Sequence, residues 1–61
     1  MEENMKKLMN LQTLEYTTIT DKQAVEIEQA ISDKDDVDRD IDGDLCCSDN
    51  AYNQALDIIN N

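Results

Sequence analysis

Thr13-Leu14-Glu15-Tyr16-Thr17-Thr18-Ile19 is the stretch on which the fold class turns. Thr13, Tyr16, Thr17, Thr18 and Ile19 are β-branched or aromatic, the types that suit a pleated, half-buried surface. Leu14, Tyr16 and Thr18 would share one face of a strand. Read as a strand, the segment makes the chain α+β. Read as an extended linker, it leaves a helical protein. A strand needs a partner, and the only other alternating segment contains Val37, Arg39 and Ile41. Without a better partner, the expectation is a mostly α fold: two or three short helices with an acidic loop between the last two. A small α+β fold with a short strand near residues 13–19 is the alternative.

Outward from this stretch, the flanks read as helices. In residues 2–12, Met5, Leu8, Met9 and Gln12 are spaced so that the apolar members share a helical face. Glu2 and Glu3 precede Lys6 and Lys7, which suits the helix dipole and sets up Glu2–Lys6 and Glu3–Lys7 pairs one turn apart. Residues 20–32 open with a capping box, Thr20 and Gln23, and continue with an apolar stripe of Ala24, Ile27, Ala30 and Ile31. Residues 48–60 start at Ser48 or Asp49 as cap and place Tyr52, Ala55, Leu56 and Ile59 on one face. The expected core is Met5, Leu8, Met9, Ile27, Ile31, Tyr52, Leu56 and Ile59.

At 61 residues the chain is a single small domain, residues 1–61, with an acidic loop at 33–44. A domain of this size buries only about 60% of the surface its unfolded chain exposes. With no Trp, Phe or His and two Tyr, bulky core residues are few. Fifteen acidic against five basic residues give a net charge of −10, which repels nucleic acid and anionic lipid and favours cations or basic protein surfaces. Cys46 and Cys47 are adjacent, so they cannot staple distant parts of the fold, and they are read as reduced thiols. No apolar run reaches the length of a signal core or a membrane span. The expectations are a complete small reading frame, a cytoplasmic location and no membrane association.

Residues 33–44 read Asp-Lys-Asp-Asp-Val-Asp-Arg-Asp-Ile-Asp-Gly-Asp, seven Asp in twelve residues. Asp36, Asp38, Asp40, Asp42 and Asp44 recur at every second position, which in an extended segment places five carboxylates on one face roughly 7 Å apart. Such a row suits either a divalent cation or a basic surface. Gly43, the only glycine, marks a turn at its end.

Asp38-Arg-Asp40-Ile-Asp42-Gly43-Asp44-Leu45-Cys-Cys-Ser-Asp49 resembles an EF-hand loop, whose pattern is D-x-[DN]-x-[DN]-G-x5-E. The resemblance covers twelve residues. It implies calcium held by Asp38, Asp40, Asp42, Asp44 (through its main-chain carbonyl) and Asp49 between two helices. The chain departs from the pattern at the twelfth position, where Asp49 stands for Glu, and at the ninth, where Cys46 is a poor calcium ligand.

A row of carboxylates can also stand in for a row of phosphates. Nucleic-acid-binding proteins line their grooves with Lys and Arg, and an acidic protein can occupy such a groove without an active site. In size, acidity and charge concentration the chain looks like the small acidic inhibitors that phages and mobile elements direct against restriction, CRISPR or DNA-repair enzymes. That likeness is one of class, without a family motif. The expected partner is thus a basic surface, such as a nucleic-acid-binding enzyme or complex, with no direct contact to nucleic acid. The expected partner-binding residues are Asp33, Asp35, Asp36, Asp38, Asp40, Asp42 and Asp44, with Glu26 and Glu28. No cofactor is expected; calcium belongs to the EF-hand-like alternative, and a helical adaptor that forms a homodimer is a third. Catalysis is not expected: the chain has no His, no phosphate-binding glycine loop and no base to activate either thiol.

Overall fold

The computed structural model describes residues 4–60. It is a small α+β fold, which overturns the mostly α expectation. Strand β1 (Met5–Asn10) and strand β2 (Tyr16–Thr20) form an antiparallel hairpin. Helix α1 (Asp21–Ala30) leads to a second antiparallel hairpin, β3 (Val37–Arg39) and β4 (Leu45–Cys47), and helix α2 (Asp49–Asn60) closes the chain. The two hairpins join through parallel pairing of β1 with β4, opposite Leu8–Leu45 and Asn10–Cys47, in the order β2-β1-β4-β3.

Residues 5–10 are the main correction. The expected helix over 2–12 is a central strand between Lys6–Ile19 pairing on one side and Leu8–Leu45 pairing on the other. The expected Glu2–Lys6 and Glu3–Lys7 pairs involve residues outside the described range. β1 is also the partner that the strand at 13–19 lacked in sequence. That strand runs Tyr16–Thr20, and the turn before it carries Leu14 in the left-handed region, φ 65. The stripe Met5, Leu8, Met9 fits either period. Of the three only Leu8 turns inward, on the same face as Lys6 and Asn10, whereas Met5 is 55% exposed and is not core.

Both helices form, but the one expected over 20–32 stops at Ala30, which is exposed, and Ile31 is already extended. The Thr20 hydroxyl accepts from Gln23 N–H at 3.0 Å and the Thr20 N–H donates back to Gln23 Oε1 at 2.9 Å, satisfying two otherwise orphaned groups. The Ser48 hydroxyl accepts from Ala51 N–H at the start of α2. The core joins Leu8, Ile19, Val37, Leu45 and Cys47 from one face of the sheet to Ala24 and Ile27 of α1 and Ala51, Tyr52 and Ala55 of α2. Ile31, Leu56, Ile58 and Ile59 pack at its margin. Strand alternation sends Met5, Lys7, Met9, Tyr16, Thr18, Asp38 and Cys46 to the opposite face, which neither helix covers. The Tyr52 hydroxyl reaches the Thr17 hydroxyl at 2.9 Å and ties α2 to β2. Among the described residues, no helix is long and apolar enough to cross a membrane.

Candidate functional site

The aspartate run does not lie extended. It is a turn, an edge strand and a hairpin, and several of its carboxylates build that shape. Asp33 makes the turn out of α1: its carboxylate accepts from Asp35 N–H at 2.9 Å, and its carbonyl accepts from Asp36 and Val37. Asp36 is joined to Ser48 by its carbonyl and by its carboxylate, at 2.9 and 3.2 Å. The Asp40 carboxylate accepts from the N–H groups of Asp42 and Asp44, at 2.9 and 3.0 Å, and Gly43 N–H returns to the Asp40 carbonyl. Asp40 N–H donates to the Asp44 carbonyl and closes the loop. This is a three-residue hairpin loop, a turn followed by a residue of positive φ, and Gly43 at φ 89 supplies it without a Cβ penalty. The Asp44 carboxylate accepts from Lys7 N–H at 2.9 Å, linking the hairpin to β1.

The D-x-D-x-D-G pattern therefore serves a strand–turn–strand unit rather than the helix–loop–helix frame that the EF-hand resemblance implies. Asp40, Asp42 and Asp44 bring carboxylate oxygens within 4.8 Å of one another. Asp38 and Asp49 do not belong to that group. Asp38 lies on β3 opposite Cys46, and Asp49 accepts a hydrogen bond from the Asn10 side chain at the start of α2. The Asp44 carbonyl, a ligand in the EF-hand pattern, is committed to the hairpin. These residues do not fit an EF-hand calcium site.

Charge is distributed unevenly over the carboxylates. Arg39 pairs with Glu28, lies 3.9 Å from Asp21 and donates to the Gly43 carbonyl at 3.1 Å. The Glu28 carboxylate holds the guanidinium above its ordinary pKa. Arg39 thus clasps α1 to the hairpin, and Glu28 is neutralised within the chain, unlike the exposed Glu26. Both ion pairs found among the described residues use Arg39, and neither involves an aspartate of the run. Lys6 also approaches the hairpin, its chain passing so close to Gly43 that a Cβ there would lie 3.3 Å from Lys6 Cε. Asp33, Asp35, Asp38, Asp40 and Asp42 are exposed, and Asp36 and Asp44 are partly buried.

Beside this acidic edge, between the end of α1 and β3, a groove of about 280 Å³ has Ile31 and Val37 as apolar lining, with Glu28, Arg39 and Lys34 around them. Cys46 and Cys47 point to opposite faces of the sheet. Burial pushes the Cys47 thiol up to about 11, with a further contribution from Cys46. Burial also raises Cys46, and Asp40, Asp38 and Asp44 add to it. Both thiols are poor nucleophiles at neutral pH.

Asn10 and Arg39 were not legible as site-building residues. Asn10 is 1% exposed; its side-chain Oδ1 accepts from Gln12 and Thr13 N–H and its side-chain Nδ2 donates to Asp49 at 2.9 Å. Only the pairing of β1 with β4 brings Asn10 to α2, and no local pattern announces that. Compared with known proteins, the chain matches no family model, no curated protein and no solved structure.

Proposed function

We propose that the protein is a small inhibitor that places its acidic edge in a basic, nucleic-acid-binding groove of a partner protein. The observation that carries this reading is a turn, edge strand and hairpin holding seven aspartates with no ion-pair partner among the described residues, on a backbone fastened by their own hydrogen bonds. Charges held in place cost less ordering on association than charges on a mobile tail. Lys and Arg of the partner replace the counterions that otherwise surround the run, and long-range attraction speeds encounter. Asp33, Asp35, Asp38, Asp40 and Asp42 present the exposed charge, with Asp36 and Asp44 beside them; Glu26, two residues before Glu28 on α1, is exposed but turned away from them. Glu28 leaves the expected set because Arg39 holds it. The groove over Ile31 and Val37 gives an apolar side chain of the partner a seat next to the charges. Inhibitors of this class are the kind phages and mobile elements use against restriction or CRISPR systems.

The test is affinity capture from a host lysate at low salt, with and without chelator, followed by measurement of the captured partner's affinity across salt. Affinity should fall steeply with added salt and be indifferent to chelator. Asp38→Asn with Asp40→Asn should weaken it, because the amide oxygen still closes the hairpin while two charges are lost. An affinity flat against salt, or untouched by the double substitution, refutes the proposal.

A further inference from the structure

The two edges of the sheet are built differently. β3 is three residues long and carries Asp38, with Asp36 and Asp40 at its ends, and a short charged edge is a poor template for another strand. β2 is five residues, Tyr-Thr-Thr-Ile-Thr, without charge or proline, and no described strand pairs with its outer side. Alternation in the β1–β2 ladder decides which of its backbone groups are free. Asn10 N–H donates to the Glu15 carbonyl at one end and Asp21 N–H to the Asn4 carbonyl at the other, so Glu15, Thr17, Ile19 and Asp21 face β1. Tyr16, Thr18 and Thr20 therefore face outward. Thr20 is occupied, since its N–H donates to Gln23 and it caps α1. Two N–H and two C=O groups remain, on Tyr16 and Thr18. The same hairpin carries exposed Met5, Leu11, Leu14 and Tyr16, four of the six exposed large hydrophobics among the described residues.

We propose that a second copy of this chain pairs antiparallel along β2, about a two-fold axis at Thr17, with Tyr16 of each copy bonded to Thr18 of the other. This register joins all four free groups of each edge in four hydrogen bonds. A shift that sets Thr18 against Thr18 leaves Tyr16 facing Thr20, whose N–H donates to Gln23 and whose carbonyl, as the N-cap of α1, accepts the first bond of the helix, and this halves the number. Charge selects the same edge. Two copies of net charge −10 repel wherever their aspartate runs approach, and β2 is the strand three interstrand spacings, about 14 Å, from β3. That separation exceeds the screening length of about 8 Å at physiological salt. Lys7, 5.2 Å from the Tyr16 ring centroid, adds a cation on this side to offset Glu15. The product is one eight-stranded sheet with an acidic hairpin at each outer end.

Sedimentation of the full chain from about 10 µM to about 1 mM, in low and high salt, tests the pairing. The expected species at high concentration has twice the 7.0 kDa of the chain, and added salt should tighten it by screening repulsion between copies. Partner binding through the acidic edge has the opposite salt dependence, so the two proposals fail separately. Thr18→Pro, on an edge where proline is tolerated, removes two of the four bonds and should weaken association about tenfold or more. Thr18→Lys should do the same by charge, and circular dichroism checks that each variant keeps the fold. Thr17→Cys with Cys46→Ser should form an intermolecular disulfide on oxidation, because the facing Cα atoms would stand about 4.5 Å apart. Val25→Cys with Cys46→Ser, exposed on α1, should not. A 7.0 kDa species across the whole range overturns the proposal, and so does a dimer that both Thr18 variants leave intact or that Thr17→Cys fails to lock.

Discussion

Asn10→Asp exchanges an amide for a carboxylate of the same shape and should come close to unfolding the protein at neutral pH. The side-chain oxygen that holds the β1–β2 turn, through Gln12 and Thr13, is kept. The donor to Asp49 is lost, and two carboxylates are left facing each other where a 2.9 Å hydrogen bond stood. A hydrogen bond to a charged group contributes about 1.5–3 kcal/mol. Two like charges about 4 Å apart near a surface repel by about 4 kcal/mol. Asp49 is partly exposed and can turn toward water, so the net cost should be about 3–5 kcal/mol. A chain of this length has a total stability of about 3–9 kcal/mol. Asn10→Ala loses all three hydrogen bonds but gains no repulsion, and should cost about 2–3 kcal/mol. The pH dependence separates the two variants. Facing carboxylates take up a proton more readily in the folded state than in the unfolded chain, so the Asn10→Asp penalty is absent in acid and appears as pH rises above about 4. Adding Asp49→Asn to Asn10→Asp restores a donor facing an acceptor and should recover most of the loss. Urea denaturation followed by circular dichroism at pH 7 and pH 4, each against wild type, reads all of this. An Asn10→Asp variant within about 1 kcal/mol of wild type at pH 7, or a double variant no better than the single one, refutes the placement of β1 against α2.

Two further outcomes follow from the same structure. Arg39→Met should cost about 1 kcal/mol, since its ion pairs are partly exposed, and the difference from wild type should shrink in concentrated salt; Arg39→Lys should not restore it, because one ammonium cannot serve Glu28, Asp21 and the Gly43 carbonyl together. At pH 8 only about one Cys47 thiol in a thousand is ionised in the folded state, and the side chain is fully buried, so a thiol reagent should modify Cys46 slowly and Cys47 only after denaturant is added.

The helices and the acidic hairpin differ from β1 in how far their determinants reach along the chain. Thr20 and Gln23 close a capping box within one turn, and the stripes of α1 and α2 repeat at helical spacing, so both helices are legible from neighbours alone. The turn at Gly43 is equally local. The acidity, and the place where it concentrates, is visible without any fold. β1 is not: its inward residues, Lys6, Leu8 and Asn10, include only one apolar side chain, so no alternation shows, while Met5, Leu8 and Met9 mimic a helical face. Its strand character comes from hydrogen bonds to β2 on one side and to the distant β4 on the other.

Composition and local pattern alone determined two capped helices, one glycine turn and a protein that repels anions. Tertiary structure alone decided that the chain is α+β, that Glu28 is spoken for by Arg39, and that Asp36, Asp40 and Asp44 fasten the backbone across the hairpin, while Asp38 accepts only from its neighbour Arg39 N–H and Asp42 is exposed. The physical reason is range. A helix satisfies its backbone within four residues, whereas a strand, and the working role of each carboxylate on it, depends on partners that only folding brings near.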